Sequence, residues 1–336
     1  MNLKRNNKKL DIALITIHNV NNYGAVLQTY ATQQYLSRFG KVSIIDYDNP
    51  KFHDHLHLIR FSWNIHGVKR LFHDLFRIYY RYNAISKFKI FISSKLNLTD
   101  KVGYKQLLNN EIKEYDMYVC GSDQIWNPLI VADDCKIDEI YFLNFAFQGR
   151  IKISFSSSKG AYVYSEEEQV IIRNRLKDFD LISVREADAQ EQVSKLLGST
   201  KVFHFQDPTL FLDKSDWIKN LEILDDDIAE KYILVYTVPR SGLLEKAVAY
   251  FREKLNLRVI LIDQMLFPIC KADEHIRDAG PKEFIKLFLN ASFVITDSFH
   301  GTCFSVNFGI PFVATLADEK SNRISSLLNL FQLNNL

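Results

Sequence analysis

One stretch, SFVITDSFHGTCFSVNFGIPFVA from Ser292 to Ala314, narrows the choice of fold more than any other. Phe293-Val294-Ile295-Thr296 is a short apolar run of the kind that fills a strand buried on both faces. Asp297 to Gly301 interrupt it with small and polar residues. Cys303, Phe304, Val306 and Phe308 continue as a helix-length apolar segment, closed by Gly309 and Pro311. Pro311-Phe312-Val313-Ala314 then reads as the next strand. Strand, turn, helix and strand at this spacing predict a parallel α/β unit. That arrangement sets one histidine, His300, on a tight turn at a strand's C-terminal end, the edge where open α/β sheets bind ligands. A histidine packed in an ordinary connection would give the same pattern, so the remaining sequence has to separate the two.

The start of the chain repeats the theme. Ile12 to Ile17 reads as a strand after a basic tail, His18 to Gly24 as a polar turn, and Ala25 to Leu36 as a helix capped by Asn21 or Asn22. Gly24 permits close backbone approach, and the free N–H groups of the first turn suit an anion or hydroxyl. Val42 to Ile45 is the next strand. Further strands are expected within Glu114–Cys120 and at Ile151–Phe155, Leu181–Val184 and Val202–Phe205. The second unit would add Ile233–Tyr236 and Arg258–Ile262. Gly121-Ser122-Asp123 and Ser156-Ser157-Ser158-Lys159-Gly160 follow strand ends as polar loops, the second able to hydrogen-bond an anion. The polar segment from Leu212 reads as the hinge between two domains. Residues 52–97 are aromatic, basic and helix-prone. They suit an acceptor cleft, an anionic membrane surface or a solvated basic face.

Bulk properties exclude several classes. A chain of 336 residues is long enough for two domains, and a net charge of +2 does not call for nucleic acid. Cys120, Cys135, Cys270 and Cys303 form no C-x-x-C pair, which leaves neither a zinc ribbon nor a disulfide framework. His53, His55 and His57 alternate, yet no further ligand cluster supports a metal, and none is expected. No stretch approaches the roughly twenty apolar residues of a spanning helix, so a cytoplasmic protein is expected. There is no Walker A sequence and no G-x-S-x-G elbow.

Leu181 to Glu186 mirrors the His300 element: an apolar strand delivers Arg185 at its C-terminal end. An arginine there suits bidentate recognition of phosphate or carboxylate. A salt bridge to Glu186 or Asp188 is the alternative. Histidine beside such an anion site suits proton transfer near neutral pH.

These residues fall into an ordered set: Asn22-Tyr23-Gly24-Ala25-Val26-Leu27-Gln28, Ile45-Asp46-Tyr47, Gly121-Ser122-Asp123-Gln124-Ile125-Trp126-Asn127, Ile182-Ser183-Val184-Arg185-Glu186, Asp207-Pro208-Thr209-Leu210 and Thr296-Asp297-Ser298-Phe299-His300-Gly301-Thr302. Along nearly its whole length the chain resembles the polysaccharide pyruvyl transferases. The resemblance implies an α/β, GT-B-like fold, with two Rossmann-like domains facing a cleft. Residues 1–213, with the 52–97 insert, would form the acceptor side, and residues 214–336 the donor side. It implies transfer of pyruvate from phosphoenolpyruvate, as donor substrate and without a cofactor, to a sugar of a cell-surface polysaccharide or its precursor. The product is a ketal. The acceptor would be a glycan or lipid-linked oligosaccharide, with no nucleic acid, reached by peripheral association at the inner face of the membrane.

Carried over by position, Arg185 would hold the donor's anionic groups, and His300 would contact the donor and move a proton. Asn22, Gly24 and Asp123 would shape the acceptor side. Ser298, Phe299 and Arg323 complete the expected substrate-binding set. The sequence departs from the family pattern at Ser298, where some members carry an arginine. It also stops soon after Arg323-Ile324, so a truncated C-terminal end is expected. The same fold class hosts nucleotide-sugar-dependent glycosyltransferases, and a non-catalytic component of glycan assembly would share it as well.

Overall fold

Two sheets, parallel throughout, carry the fold. The computed structural model describes residues 9–59, 71, 74–224, 230–316 and 322–333. The basic start of the chain and part of the 52–97 stretch lie outside these described residues. The seven-stranded sheet runs in the order β3-β2-β1-β4-β5-β6-β7. Its strands are β1 (Leu10–Ile15), β2 (Gly40–Tyr47), β3 (Leu98–Val102), β4 (Met117–Cys120), β5 (Ile151–Ser157), β6 (Leu181–Val184) and β7 (Val202–His204). The five-stranded sheet runs β10-β9-β8-β11-β12. It is built from β8 (Tyr232–Tyr236), β9 (Arg258–Ile262), β10 (Glu274–Ile276), β11 (Phe293–Thr296) and β12 (Phe312–Ala314). Relabelled by their own sequence, both sheets begin 3-2-1-4, the order of a doubly wound dinucleotide-binding fold.

The helices are α1 (Tyr23–Leu36), α2 (Ile78–Lys95), α3 (Tyr104–Leu108), α4 (Pro128–Val131), α5 (Glu166–Leu176), α6 (Ala187–Leu197), α7 (Lys214–Leu221), α8 (Gly242–Leu255), α9 (Pro281–Leu289), α10 (Phe299–Phe308) and α11 (Asn322–Leu330). Central strands are covered on both faces, which is why they read as unbroken apolar runs. Ile12 to Ile15 and Ile233 to Val235 are at most 1% exposed. Cys120, Cys270 and Cys303 are buried and unoxidised, and Cys135 is exposed. His53 and His55 lie in a 3-10 helix, Pro50–Leu56.

Contacts divide the chain into two compact units. One comprises Met1–Ile17, Thr29–Lys51 and Leu96–Pro208; the other comprises His18–Gln28, Phe52–Lys95 and Thr209–Leu336. This departs from a single cut after residue 213 with the 52–97 insert on the N-terminal side. The reason is packing. Phe88 of α2 meets Tyr23 at 5.1 Å between ring centroids, and Asn83 Nδ2 donates to Asp278 at 3.1 Å. Lys87 pairs with Glu283 of α9 at 3.1 Å.

The expected hinge is also ordered at its start. Asp213 caps α7 by accepting from the Asp216 N–H, and Trp217 is fully buried with its Nε1 donating to the Thr209 carbonyl at 3.3 Å. One tryptophan and Leu221 suffice to dock a helix whose composition is otherwise polar. Residues 225–229 of that segment lie outside the described residues.

Candidate active site

The second sheet reverses its winding between β8 and β11, so the carboxyl ends of these strands form the switch point where such sheets hold ligands. Thr296 ends β11 opposite Tyr236 of β8. Its Oγ1 donates to the Tyr236 carbonyl at 2.6 Å and accepts from the Ser298 N–H at 3.0 Å. Asp297, buried, accepts from Thr237 Oγ1 at 2.8 Å, Val238 N–H at 2.9 Å and Ser241 N–H at 3.2 Å. These bonds lock the loop after β8 against the loop after β11. The carboxylate is thus occupied in holding the edge together.

Ser298 is the N-cap of α10, its hydroxyl accepting from the Gly301 N–H. Where the family pattern offers an arginine, this chain has a residue that satisfies a helix end. Burial holds the Tyr236 hydroxyl far above the usual phenol range, partly offset by its hydrogen bond with Ser298. Gly301 lets α10 settle onto the strand, since a Cβ there would lie 2.3 Å from Thr296 Oγ1. His300 is therefore fixed in the first turn of α10, 8% exposed. Phe299 is buried in a cluster with Cys303, Ile324 and Leu327, which docks α11. That places the Arg323 guanidinium 5.5 Å from the Phe299 ring centroid.

Asn22 and Gly24 belong to the same unit as His300. Asn22 caps α1, its Oδ1 accepting from the Ala25 N–H at 3.1 Å. The neighbouring Asn21 instead exchanges two hydrogen bonds with the Gln264 side chain, at 2.7 and 2.8 Å. Tyr23 anchors the first turn. Its ring stacks on Phe284 of α9 at 4.4 Å, and its hydroxyl donates to the Ala279 carbonyl at 2.7 Å. Gly24 is thereby pressed against the histidine: a Cβ at 24 would lie 2.0 Å from His300 Nδ1 and 2.5 Å from Cε1 and Cγ. Two helix N-termini meet at one imidazole. Each contributes first-turn N–H groups outside the intrahelical ladder and the positive end of a helix dipole, a setting that favours an anion.

The other expected residues lie in the first unit. Arg185 follows β6 with its side chain 1% exposed, and its guanidinium is ringed by Asp207 at 2.8 Å, Asp123 at 3.6 Å and Glu186 at 3.7 Å. Burial acts to lower its pKa, but the carboxylates of Asp207, Glu186 and Asp123 outweigh it and hold the group more basic than usual. Asp207, Asp123 and Glu186 thus surround the guanidinium. Of the two partners foreseen from sequence, Glu186 is confirmed, whereas Asp188 pairs with the buried Lys159 at 3.1 Å.

The hydroxyls of the Ser156–Ser158 loop are engaged internally. Ser156 donates to the Gln206 carbonyl at 2.7 Å, Ser157 to the Cys120 carbonyl at 3.1 Å, and Ser158 to Glu186. The loop consequently braces the sheet edge instead of offering donors to an anion.

Sequence reasoning passed over Asp138. It caps the 3-10 helix Glu139–Phe142 and accepts from the Tyr47 hydroxyl at 3.1 Å and from Asn49 Nδ2 at 3.4 Å. Burial raises its pKa to about 6. The only signal in the sequence was Tyr47 and Asn49 at the end of β2, since Asp138 sits in a polar loop far along the chain. Among the described residues, no group of three or more His, Cys, Asp or Glu could hold a metal ion, and no helix is long and apolar enough to cross a membrane.

Residues 22–318 match the family model for polysaccharide pyruvyl transferase. The chain belongs to that family. As a pyruvyl transferase family member it is a transferase, and its glycan-modifying family points to a glycan acceptor. Both helix N-termini at His300 fall inside the matched region. No curated protein matches the chain.

Among solved structures, a Listeria monocytogenes protein assigned as a UDP-N-acetylglucosamine 2-epimerase is 11% identical. The match covers 97% of this chain and 89% of that one, with a TM-score of 0.51. The S. aureus MnaA–UDP co-structure is 13% identical, with coverage of 96% and 88% and a TM-score of 0.48. The first of these likenesses is one of fold, and it assigns this pyruvyl transferase family member to the GT-B-like class of two Rossmann-type units.

Proposed function

We propose that the protein transfers pyruvate from phosphoenolpyruvate to a sugar of a surface polysaccharide or its precursor, forming a ketal and releasing phosphate. The observation that carries this reading is the convergence of the α1 and α10 N-termini on His300, within a family match spanning residues 22–318. The donor carries a phosphate and a carboxylate, and first-turn N–H groups bind such anions without a cofactor. Ketal formation takes two hydroxyl protons from the sugar. One ends on the donor's methylene carbon, which becomes a methyl group, and the other leaves with the phosphate. His300 is the residue assigned to proton transfer.

Arg185 enters through its carboxylates: displacing three of them to bind a donor anion would be costly. The reading with the smaller cost keeps it as the charge that holds Asp123, Glu186 and Asp207 in place.

The test is phosphate release from phosphoenolpyruvate with a panel of glycan acceptors. Acceptor-dependent release is expected, falling about 10²–10⁴-fold in His300→Ala, the range for a lost proton-transfer group. Release that is insensitive to His300→Ala, or donor turnover of nucleotide sugars in its place, overturns the reading.

A further inference from the structure

A cavity of about 320 Å³ opens between α5, the Val163-Tyr164 pair that leads toward it, and the C-terminal half of α6. It shares no lining residue with the candidate active site. Its size falls within the roughly 300–1,000 Å³ of small-molecule sites, which are mostly apolar with a few placed polar groups. The apolar lining is Val163, Tyr164, Val193 and Leu196. Val193 is buried, and Tyr164 is held by its hydroxyl, which donates to the Trp126 carbonyl at 2.7 Å. Val163 stands 77% exposed at the mouth, an apolar surface that a bound ligand would cover.

The polar lining is an arginine, a lysine and two amides: Arg173, Lys195, Gln169 and Gln192. Lys195 is paired with Glu191 at 2.5 Å. Arg173 is held differently. Its Nε donates to the Leu196 carbonyl at 2.9 Å, across the gap from α5 to α6. That bond satisfies a carbonyl in the last turn of α6, where no intrahelical partner exists, and it fixes the guanidinium on the cavity wall. An arginine carries five N–H donors in a fixed fork, and this contact uses one. The Nη groups have no acceptor among the described residues. A lysine would serve the α6 carbonyl as well; what the arginine adds is a planar fork that matches a carboxylate bidentately. Gln169 donates from Nε2 to the Tyr164 carbonyl at 3.0 Å, and the Gln192 amide has no partner among the described residues.

An oriented guanidinium fork beside an apolar wall recognises a ligand of two parts. We propose that this cavity binds a small carboxylate with a compact apolar body. The carboxylate sits on the Arg173 Nη groups, the body covers Val163, Tyr164 and Val193, and the Gln169 and Gln192 amides lie at its polar edge. None of the described lining residues is acidic, so nothing on the wall competes for the fork. Lys195 is already paired, and the one remaining lining cation matches the single charge of a carboxylate better than the near-double charge of a phosphate monoester.

Ligand-observed NMR titration of the full chain with 4-phenylbutyrate tests the site. Saturable binding is expected, at least ten-fold tighter than for 4-phenylbutyramide, which has the same body without the charge, or for acetate, which has the head alone. Arg173→Lys keeps a cation for the Leu196 carbonyl but lacks the fork, and should weaken binding ten-fold or more. Val163→Asp sets a charge of the ligand's own sign in the wall and should do the same. Both positions are exposed, so the unfolding transition should be unaltered in each variant. No binding of 4-phenylbutyrate, equal binding of its amide, or undiminished binding by either folded variant overturns the proposal. Such a failure leaves phosphate release from phosphoenolpyruvate untouched, so the two readings fall separately.

Discussion

Replacing Gly24 by alanine should disable the site through His300 alone. The backbone at 24 is not in the left-handed region, so alanine meets no conformational objection, and in a helix it is intrinsically favoured over glycine by up to about 1 kcal/mol. The obstacle is space. A Cβ would lie 2.0 Å from Nδ1 and 2.5 Å from Cγ, so the whole ring would have to retreat by about 1.5 Å to restore van der Waals contact. Overpacking of this kind costs about 1–3 kcal/mol, and displacement of a reacting group by 1 Å costs on the order of 10²-fold in rate.

A double-mutant cycle isolates the cause. In the wild-type background Gly24→Ala should lower stability by about 1–2 kcal/mol, the clash less the helix gain. In the His300→Ala background the ring is gone, and the same substitution should be neutral or stabilising by up to about 1 kcal/mol. Denaturant unfolding of the four proteins gives the coupling, and phosphate release gives the rate. Equal stability costs in the two backgrounds, or full activity in Gly24→Ala, would refute the argument.

Arg185→Met leaves Asp123, Glu186 and Asp207 buried around an uncharged side chain and should cost about 3–5 kcal/mol, seen as a large drop in the thermal midpoint. An unchanged midpoint would remove the structural role given to the cluster. Ser298→Ala removes the α10 cap and should cost about 0.5–2 kcal/mol in chemical denaturation; a neutral outcome would mean the cap bond contributes nothing. For Asp138 the folded carboxyl titrates near 6, above its unfolded value. The folded state therefore binds more protons between about pH 4 and 6, and stability falls as pH rises through that window, by about 1–3 kcal/mol. Asp138→Asn should flatten this slope, and an unchanged slope would assign it to another group.

The central strands were legible because parallel strands buried on both faces leave apolar runs bounded by turn residues. Phe293–Thr296 and Leu181–Val184 are examples, and each delivers its polar residue at the expected edge. Helix α2 was recognisable as a helix, but its allegiance was not. Its inward Phe88 and Phe91 and its outward Tyr79, Tyr82 and Ile90 are equally apolar, so the pattern does not say which face is buried. Helix α7 was hidden by composition, because a single buried Trp217 decides its docking. At the site, Gly24 announced a close approach without naming what approaches. His300 lies far away in sequence, and their contact depends on Tyr23 reaching α9. The carboxylates around Arg185 were obscured in the same way, since Asp123 and Asp207 lie in separate motifs far from Arg185 in sequence.

Mass spectrometry of a defined glycan acceptor, incubated with the full-length protein and phosphoenolpyruvate, bears most directly on the assignment. The expected product is an acceptor heavier by one pyruvate ketal, with one phosphate released per product, and both form about 10²–10⁴-fold more slowly with His300→Ala. An unmodified acceptor across a broad panel, with folded protein and intact donor, would contradict it.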